Sequence, residues 1–508
     1  MKKLLSIAIL LAIVTAANAQ WLRLSGTAKG IPAGDSVEVT LPFNGEYYAD
    51  NSIYIKPDTK QHFTFNLSGK SPKFIQLRYK TGVSNLLLIP GKLLRADFDA
   101  ADMAKTIALT GSAKNINERL LSSALNNRAL LINNLYDNRK WSADSLVHTM
   151  LPAVKKELNT TLTLVDEAAI PAKTKAIICT ELKYYYANTL LLFSGALRDK
   201  MSRDAPWAKL QYAVIHSFAL PGSDELASSP AASTYIHYYM VNQLHELSFL
   251  FKENPSDQKN IIETEMGMPY DTVMNLAHLY GEDYLLTLLS KKYLSAQKRE
   301  RLLANVTLKY AGMKELRGAN QLQNDLAASF PNSTYLNICQ NRISNLENLV
   351  GKNSRNKNII FVPDSTKITT LKELVAPYKG KVVYLDIWGT WCGPCKSEIM
   401  LYSAQLKTKF ANNKDIVFLY LEMDQGQAGS VEKWKEFVNM HNVAGTHVRI
   451  DKTIMDNLWI ELLGSRDVPR MFPTYVIFDR DGNVSNKNAN RPSAGEILYK
   501  DLELAIAK

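Results

Sequence analysis

The chain has 508 residues, 46% of them hydrophobic, a length that suits about three domains with real cores. Its 60 basic and 49 acidic side chains leave a net charge of +11, with no basic run interleaved with stacking aromatics, which excludes a nucleic-acid groove. Four cysteines in so long a chain exclude the dense disulfide framework of small secreted domains.

Residues 1–19 read as a secretory signal: Lys2 and Lys3, an apolar run from Leu4 to Val14, then small residues ending Ala17-Asn18-Ala19, with cleavage before Gln20. That run is shorter than the ~20 residues a spanning helix needs, and no later stretch is apolar for long enough. An exported protein of the periplasm or cell envelope is expected. Residues 20–112 are short β-branched or aromatic runs broken by Gly and Pro, some strictly alternating, as in Phe63-Thr64-Phe65-Asn66-Leu67. They predict an all-β, sandwich-like, antiparallel domain. It has no nucleophile with a visible base and no metal-ligand cluster, so a binding or docking platform is the expected role.

Residues 113–350 change to helical period and predict an all-α middle region, with starts at Ser142, Pro171 and Ser233. Tyr184, Tyr185, Tyr186, Tyr235, Tyr238 and Tyr239 recur at helical spacing and are read as core. His237 and His245 lie eight residues apart on one predicted helix, roughly 80° apart in direction, a poor geometry for one metal. The text HELSF has Phe249 where a zinc-protease motif needs its second histidine. Cys179 and Cys339 lie in apolar helical text and are expected to be buried thiols without a catalytic part, with a disulfide between them as the alternative. Residues 351–357, GKNSRNK, read as a polar linker, so that residues from about 355 should form a unit of their own.

Residues 358–508 alternate buried strands (VVYLDIW, IVFLYLEMD, THVRID, TYVIFD) with helical segments and predict an α/β domain. Cys392 and Cys395 follow the first of these strands and open a helix. A CxxC is either half a zinc site or a redox pair. Zinc needs four ligands, and no second Cys/His pair lies nearby. Redox chemistry needs a stabilised thiolate, which a helix N-terminus supplies through unpaired amides and its positive dipole end. The first thiol would attack a substrate disulfide and the second would release it.

The stretch IWGTWCGPCKSE, with MFPTYVIFD downstream, resembles the thioredoxin superfamily, and in its long insertion around MDQGQAGSVEKWKEFVNMHN the exported TlpA-like branch. The resemblance covers about 150 residues. It implies a thioredoxin fold and a thiol-disulfide oxidoreductase in which Cys392 attacks, Cys395 resolves and Asp386 is a buried acid. Trp391, Gly393 and Pro394 would frame the pair, while Pro473 would follow a cis bond and face the dithiol, with Phe472 and Thr474 presenting backbone to substrate. The β-domain, ending in LTGSAKNIN, resembles the N-terminal domain of unknown function found before such regions in exported bacterial proteins. Two positions depart from the family: Met400 stands where a helix-kinking proline is common, and Tyr420 where the lysine near the buried acid is expected, leaving Asp386 without a cationic neighbour.

Every step of such chemistry is thiol exchange, so no cofactor and no metal are expected beyond the Cys392–Cys395 pair. The Gly-Pro dipeptide resembles that of the reducing thioredoxins, near about −270 mV, and favours a reductase over an isomerase. Expected partners are disulfide-containing proteins and a membrane thiol relay that supplies electrons. A scaffold whose redox domain serves one dedicated partner is the reading from a different class, and the oligomeric state is not legible.

Overall fold

A computed structural model of the chain describes residues 21–126, 141–167, 169–363, 368–426 and 429–508. The expected signal peptide lies outside these residues. The chain divides into two compact units, Met1–Val306 with Ala328–Ser333, and Thr307–Ala327 with Thr334–Lys508.

In the first unit eight strands form two four-stranded sheets. They are β1 Trp21–Lys29, β2 Val37–Thr40, β3 Ser52–Ile55, β4 His62–Ser68, β5 Lys73–Tyr79, β6 Gly82–Leu88, β7 Leu93–Asp99 and β8 Ala108–Thr110. The orders are β4-β1-β7-β8 and β3-β2-β5-β6. Period-two alternation turns Leu22, Leu24, Phe63 and Phe65 of one sheet toward Val37, Val39, Ile75 and Leu77 of the other, and all share one core. The expectation of a purely antiparallel domain fails at one pair, because β1 runs parallel to β7. No hairpin ties these two strands, which are far apart in sequence, so nothing forces them to run in opposite directions.

The helices of this unit include α1 Ala172–Ala196, α2 Ser223–Ser228 and α3 Pro230–Glu253, with α4 Ala296–Gly312 belonging to it as far as Val306. Helix α3 begins before the predicted Ser233. Ser229 Oγ accepts from the Ala232 amide at 3.0 Å, and Pro230 takes the first turn, where a missing N–H costs nothing. Tyr184, Tyr186 and Tyr235 are fully buried, and their hydroxyls donate to Ala219 O (3.1 Å), Glu157 Oε1 (2.7 Å) and Phe218 O (2.6 Å).

The second unit opens with the end of α4 from Thr307, then α5 Leu316–Ser329 as far as Ala327, and α6 Leu336–Asn353. Its strands are β9 Ile359–Phe361, β10 Val382–Trp388, β11 Ile416–Asp424, β12 Gly445–Asp451, β13 Thr474–Phe478 and β14 Val484–Asn486. They form one sheet in the order β14-β13-β10-β11-β12-β9. Strands β9 to β12 pair in parallel and β13 and β14 antiparallel. Around it lie α7 Gly393–Lys409, α8 Ser430–Met440, α9 Lys452–Leu463 and α10 Glu496–Ala507. Every residue of β10 is buried. Its odd-numbered positions Val383, Leu385 and Ile387 join a core with α9, and Val382 and Tyr384 join one with α7 and α10.

The stretch read as a linker begins inside α6. Asn353 is buried, its amide donating to Asn439 O at 2.8 Å, and Asn356 Nδ2 donates to Asn442 Oδ1 at 2.7 Å. The start of α5 is tied to α8 as well: the Arg317 amide donates to Glu436 Oε1 at 3.2 Å and its guanidinium to Gly429 O at 3.1 Å. Helices α5 and α6 bury Leu322, Leu326 and Ile343 along with Cys339, each of the three aliphatic side chains worth about 1.5–3 kcal/mol. Residues 307–508 should therefore unfold about 5–15 °C above residues 355–508 in a thermal scan. Equal midpoints would mean that α5 and α6 add nothing to this unit.

Candidate active site

Cys392 and Cys395 form a disulfide at the N-terminus of α7. Cys392 is the helix cap: its sulfur accepts from the Cys395 amide at 3.2 Å, and Pro394 fills the first turn. The amide and the dipole end favour a thiolate at Cys392. The two cysteines differ in access, Cys392 being 6% and Cys395 1% exposed. Gly393 has nothing near its α-carbon on the side-chain side, and α7 runs unbroken through Met400.

Trp391 is 41% exposed and meets Phe472 edge-on at 4.9 Å between ring centres. Its indole folds back over Gly389, where an added Cβ would lie 2.5 Å from Nε1, so a larger residue there would have to displace the indole. The Phe472–Pro473 bond is cis. Phe472 packs against the cluster that contains both cysteines. Thr474 starts β13 opposite Ile387 of β10, and its hydroxyl donates to Met471 O at 2.7 Å. The residues singled out in sequence thus gather at one end of β10 and β13, with the acid Asp386 inside.

Asp386 is 3% exposed and lies in a row that crosses the sheet. Tyr420 of β11 stands opposite it on one side and Tyr475 of β13 on the other. His447 of β12 continues the row beyond Tyr420 and stacks on that ring at 4.8 Å. Burial among these rings pushes the Asp386 carboxyl well above the usual carboxylate range, with Glu398 adding to the rise and Lys407 opposing it. The expectation that Asp386 lacks a cationic neighbour is therefore wrong. Tyr420 does occupy the strand position, but the lysine comes from another element, the last turn of α7.

Lys407 inverts the usual arrangement of its side chain, for its stem is partly exposed and its amine is buried. The nitrogen sits 3.6 Å from the Phe418 ring centre and 4.8 Å from that of Tyr420. Burial lowers its pKa well below the ordinary lysine value, and Asp386 opposes the fall. Neither Asp386 Oδ1 nor Lys407 Nζ has a hydrogen-bond partner among the described residues. Burial thus disfavours the charged form of both the acid and the amine, while each one's charge would favour that of the other.

Two more carboxylates flank the dithiol, and sequence reasoning missed both. Glu398, one turn after Cys395, accepts from the Ser493 amide at 2.9 Å and hydroxyl at 2.8 Å, with Arg491 at 3.6 Å. Its distance from Cys395, three residues along a predicted helix, was the available signal. Glu422 ends up 1% exposed near the close of β11, its carboxylate 3.4 Å from Thr390 Oγ1 in the loop that carries Cys392 and 3.1 Å from Arg449 Nε. Arg449 also pairs with Asp424 and donates to Ser430 Oγ at 2.6 Å. Among the described residues no group of three His, Cys, Asp or Glu side chains is arranged to hold a metal.

Burial raises the Glu422 carboxyl from 4.5 to about 7, with Arg449 and the Thr390 bonds pulling it down and Asp424 pushing it up. A carboxyl whose folded value lies above its unfolded one stabilises fully below the unfolded value and loses that contribution as pH rises through the folded one. Stability should thus fall between about pH 4.5 and about pH 7 through this group. Glu422→Gln should flatten that segment of the denaturation midpoint against pH. An unchanged slope would show that Glu422 does not titrate there.

The Redoxin family model matches residues 361–497. Among curated proteins, thiol-disulfide oxidoreductase ResA of Bacillus cereus is 32% identical over 130 residues, 26% of this chain and 65% of its own length. ResA of Bacillus anthracis is 32% identical over 127 residues, 25% of this chain and 63% of its own. This chain therefore spans just under two-thirds of the length of these relatives. A crystal structure from Bacteroides vulgatus that carries the thiol-disulfide oxidoreductase name is 31% identical, covering 26% of this chain and 82% of that one, at a TM-score of 0.21. With the dithiol at a helix N-terminus, the cis-proline loop and the buried acid in place, the chain belongs through its C-terminal region to the thioredoxin superfamily, with additional regions on its N-terminal side.

Proposed function

We propose that the chain is an exported thiol-disulfide oxidoreductase that reduces disulfides of other proteins by dithiol exchange. The observation that carries this reading is a cysteine pair of unequal access at a helix N-terminus, set above a dry carboxyl group. In the reduced protein the Cys392 thiolate attacks one sulfur of a substrate disulfide. A Cys392–substrate bond forms as the substrate bond breaks, and the departing sulfur takes a proton from solvent. Cys395 then gives its proton to Asp386, directly or through water, and its sulfur attacks Cys392. The Cys392–Cys395 disulfide forms, the second substrate sulfur leaves, and two electrons have passed to the substrate. No cofactor enters any step.

Trp391, Phe472 and the exposed Met471 form an apolar lip beside Cys392, suited to the side chains of an extended substrate, while Pro473 and Thr474 offer backbone. Export rests on the leader pattern of residues 1–19, and the electrons would come from a membrane thiol relay. Among the described residues no helix is long and apolar enough to cross a membrane. The first unit contains Cys179 and no dithiol, which favours a version in which it holds one partner for the redox unit to serve. Activity of residues 307–508 on a generic disulfide equal to that of the whole chain would argue against that version.

Cys392→Ser is expected to abolish reduction of a protein disulfide. Cys395→Ala should accumulate a mixed disulfide visible on a non-reducing gel. Turnover by Cys395→Ala at the wild-type rate would reverse the assignment of the two thiols.

Asp386→Asn should slow release from the Cys392 mixed disulfide about 10²-fold at pH 7, the low end of what a positioned base contributes. The deficit should shrink toward pH 9, where Cys395 ionises without help. Stopped-flow rates from pH 6 to 9 check this, and a loss equal at every pH would assign Asp386 a purely structural part.

A further inference from the structure

The first unit contains a cleft of about 800 Å³, within the range of ligand sites, that no step of the redox chemistry uses. Its walls are the loop after β2, the β4–β5 connection, the first turns of α1, and the segment from α2 into α3. One corner is tightly built. Asn44 donates to Arg301 O and accepts from Arg301 Nη1, at 2.8 and 3.1 Å, and Asn305 Nδ2 donates to Asn44 O at 2.8 Å. Gly45, at φ 98°, comes so close to α3 that a Cβ there would lie 2.7 Å from Pro230 O. The β-domain loop and the helices are thus held together at the base of the cleft, and the space between them is part of the fold.

The charges lining it are unbalanced. Lys73, Lys173 and Arg301 border the cleft, and among the described residues none of the three is paired with a carboxylate; the Arg301 bonds go to Asn44 and to Ser233 Oγ. Of the two acids on its rim, Glu225 is already engaged by Lys183, Tyr184 and the Gly222 amide. Asp224 is left to face three cations. Between the charges the surface is apolar, with Leu41, Leu67, Phe74 and Ile177 among the lining residues.

We propose that this cleft binds an extended segment of a partner protein in which acidic side chains alternate with apolar ones. The cations come from β5, α1 and α4, three separate elements, which suits charges spaced along a chain better than one compact anion. Leu67 belongs to β4, which ends its sheet, with no strand beyond it among the described residues, the kind of edge an extended peptide recognises. The inference stands apart from the thiol chemistry and survives if that reading fails.

The test uses the chain from residue 20 onward and fluorescence anisotropy with a labelled peptide, Glu-Leu-Glu-Ser-Glu-Leu-Glu-Ser. This peptide should bind, more weakly as salt rises, and its counterpart with lysine for glutamate should not. Lys73 and Lys173 are exposed, so the Lys73→Glu/Lys173→Glu double variant should keep its thermal midpoint. It should bind the acidic peptide about five- to tenfold more weakly, as two solvent-accessible pairs allow, and gain affinity for the lysine peptide. Unchanged affinity in the variant would overturn the proposal. Displacement of the peptide by free citrate at concentrations no higher than the peptide's own would assign the cleft to small anions instead. A loss of protein-disulfide reduction with peptide binding intact would count against the redox reading alone.

Discussion

The second unit is organised around keeping one carboxyl group out of water. Asp386 lies midway along a strand whose seven residues are all buried, with a tyrosine opposite it on each neighbouring strand. Taking an ionised carboxylate into such a place costs several kcal/mol after relaxation, and burial raises the pKa of the group accordingly. That penalty is tolerated because both faces of β10 are covered by large apolar cores. The loop that leaves this buried strand carries Cys392 to the cap of α7.

Lys407 shows what the pair of buried ionisable groups does not do. Neutral residues of similar shape in place of such a pair often leave a protein as stable or more so. Asp386 and Lys407 share no hydrogen bond that would tie elements together, and each is displaced toward its uncharged form. What they offer the proposed chemistry is a carboxyl and an amine whose charged forms burial disfavours and each other's charge favours, the amine facing the aromatic rings of Phe418 and Tyr420.

Much of this was legible in sequence because the chemistry is local. CxxC after an apolar strand and before a helix needs no tertiary information, and Asp386 and Pro473 are fixed by short motifs. Lys407 was hidden because its partner is reached through a helix, not along a strand. Counting the buried face of α7 from Cys395 through Glu398, Ile399, Ser403 and Leu406 places Lys407 at its flank, a signal that the strand comparison at Tyr420 did not use. The boundary at residue 351 failed for another reason. Gly351 and Lys352 are exposed and polar, as a linker would be, yet they form the outer side of the last turn of α6. What holds that turn, the Asn353 amide on Asn439 O, pairs residues 86 positions apart and leaves no local trace. The parallel pairing of β1 with β7 was invisible for the same reason.

The anionic side of the site poses a physical question about the thiolate. Asp386, Glu398 and Glu422 all lie close to the disulfide or to the loop and helix that carry it, and carboxylates oppose a negative sulfur. The arrangement separates the two sulfurs' surroundings. Cys392 has the helix end, worth about 0.3–1 kcal/mol and up to about 2 when partly buried, together with a direct amide bond, while Glu398 and Glu422 are held by Arg491 and Arg449 and by hydrogen bonds from Ser493 and Thr390. Cys395 shares the apolar cluster of Cys392 but is the more buried of the two, 1% exposed against 6%, and lies further into the helix. The proposed order of events, outer thiolate first and inner thiol second, rests on where each cysteine sits along a single helical turn.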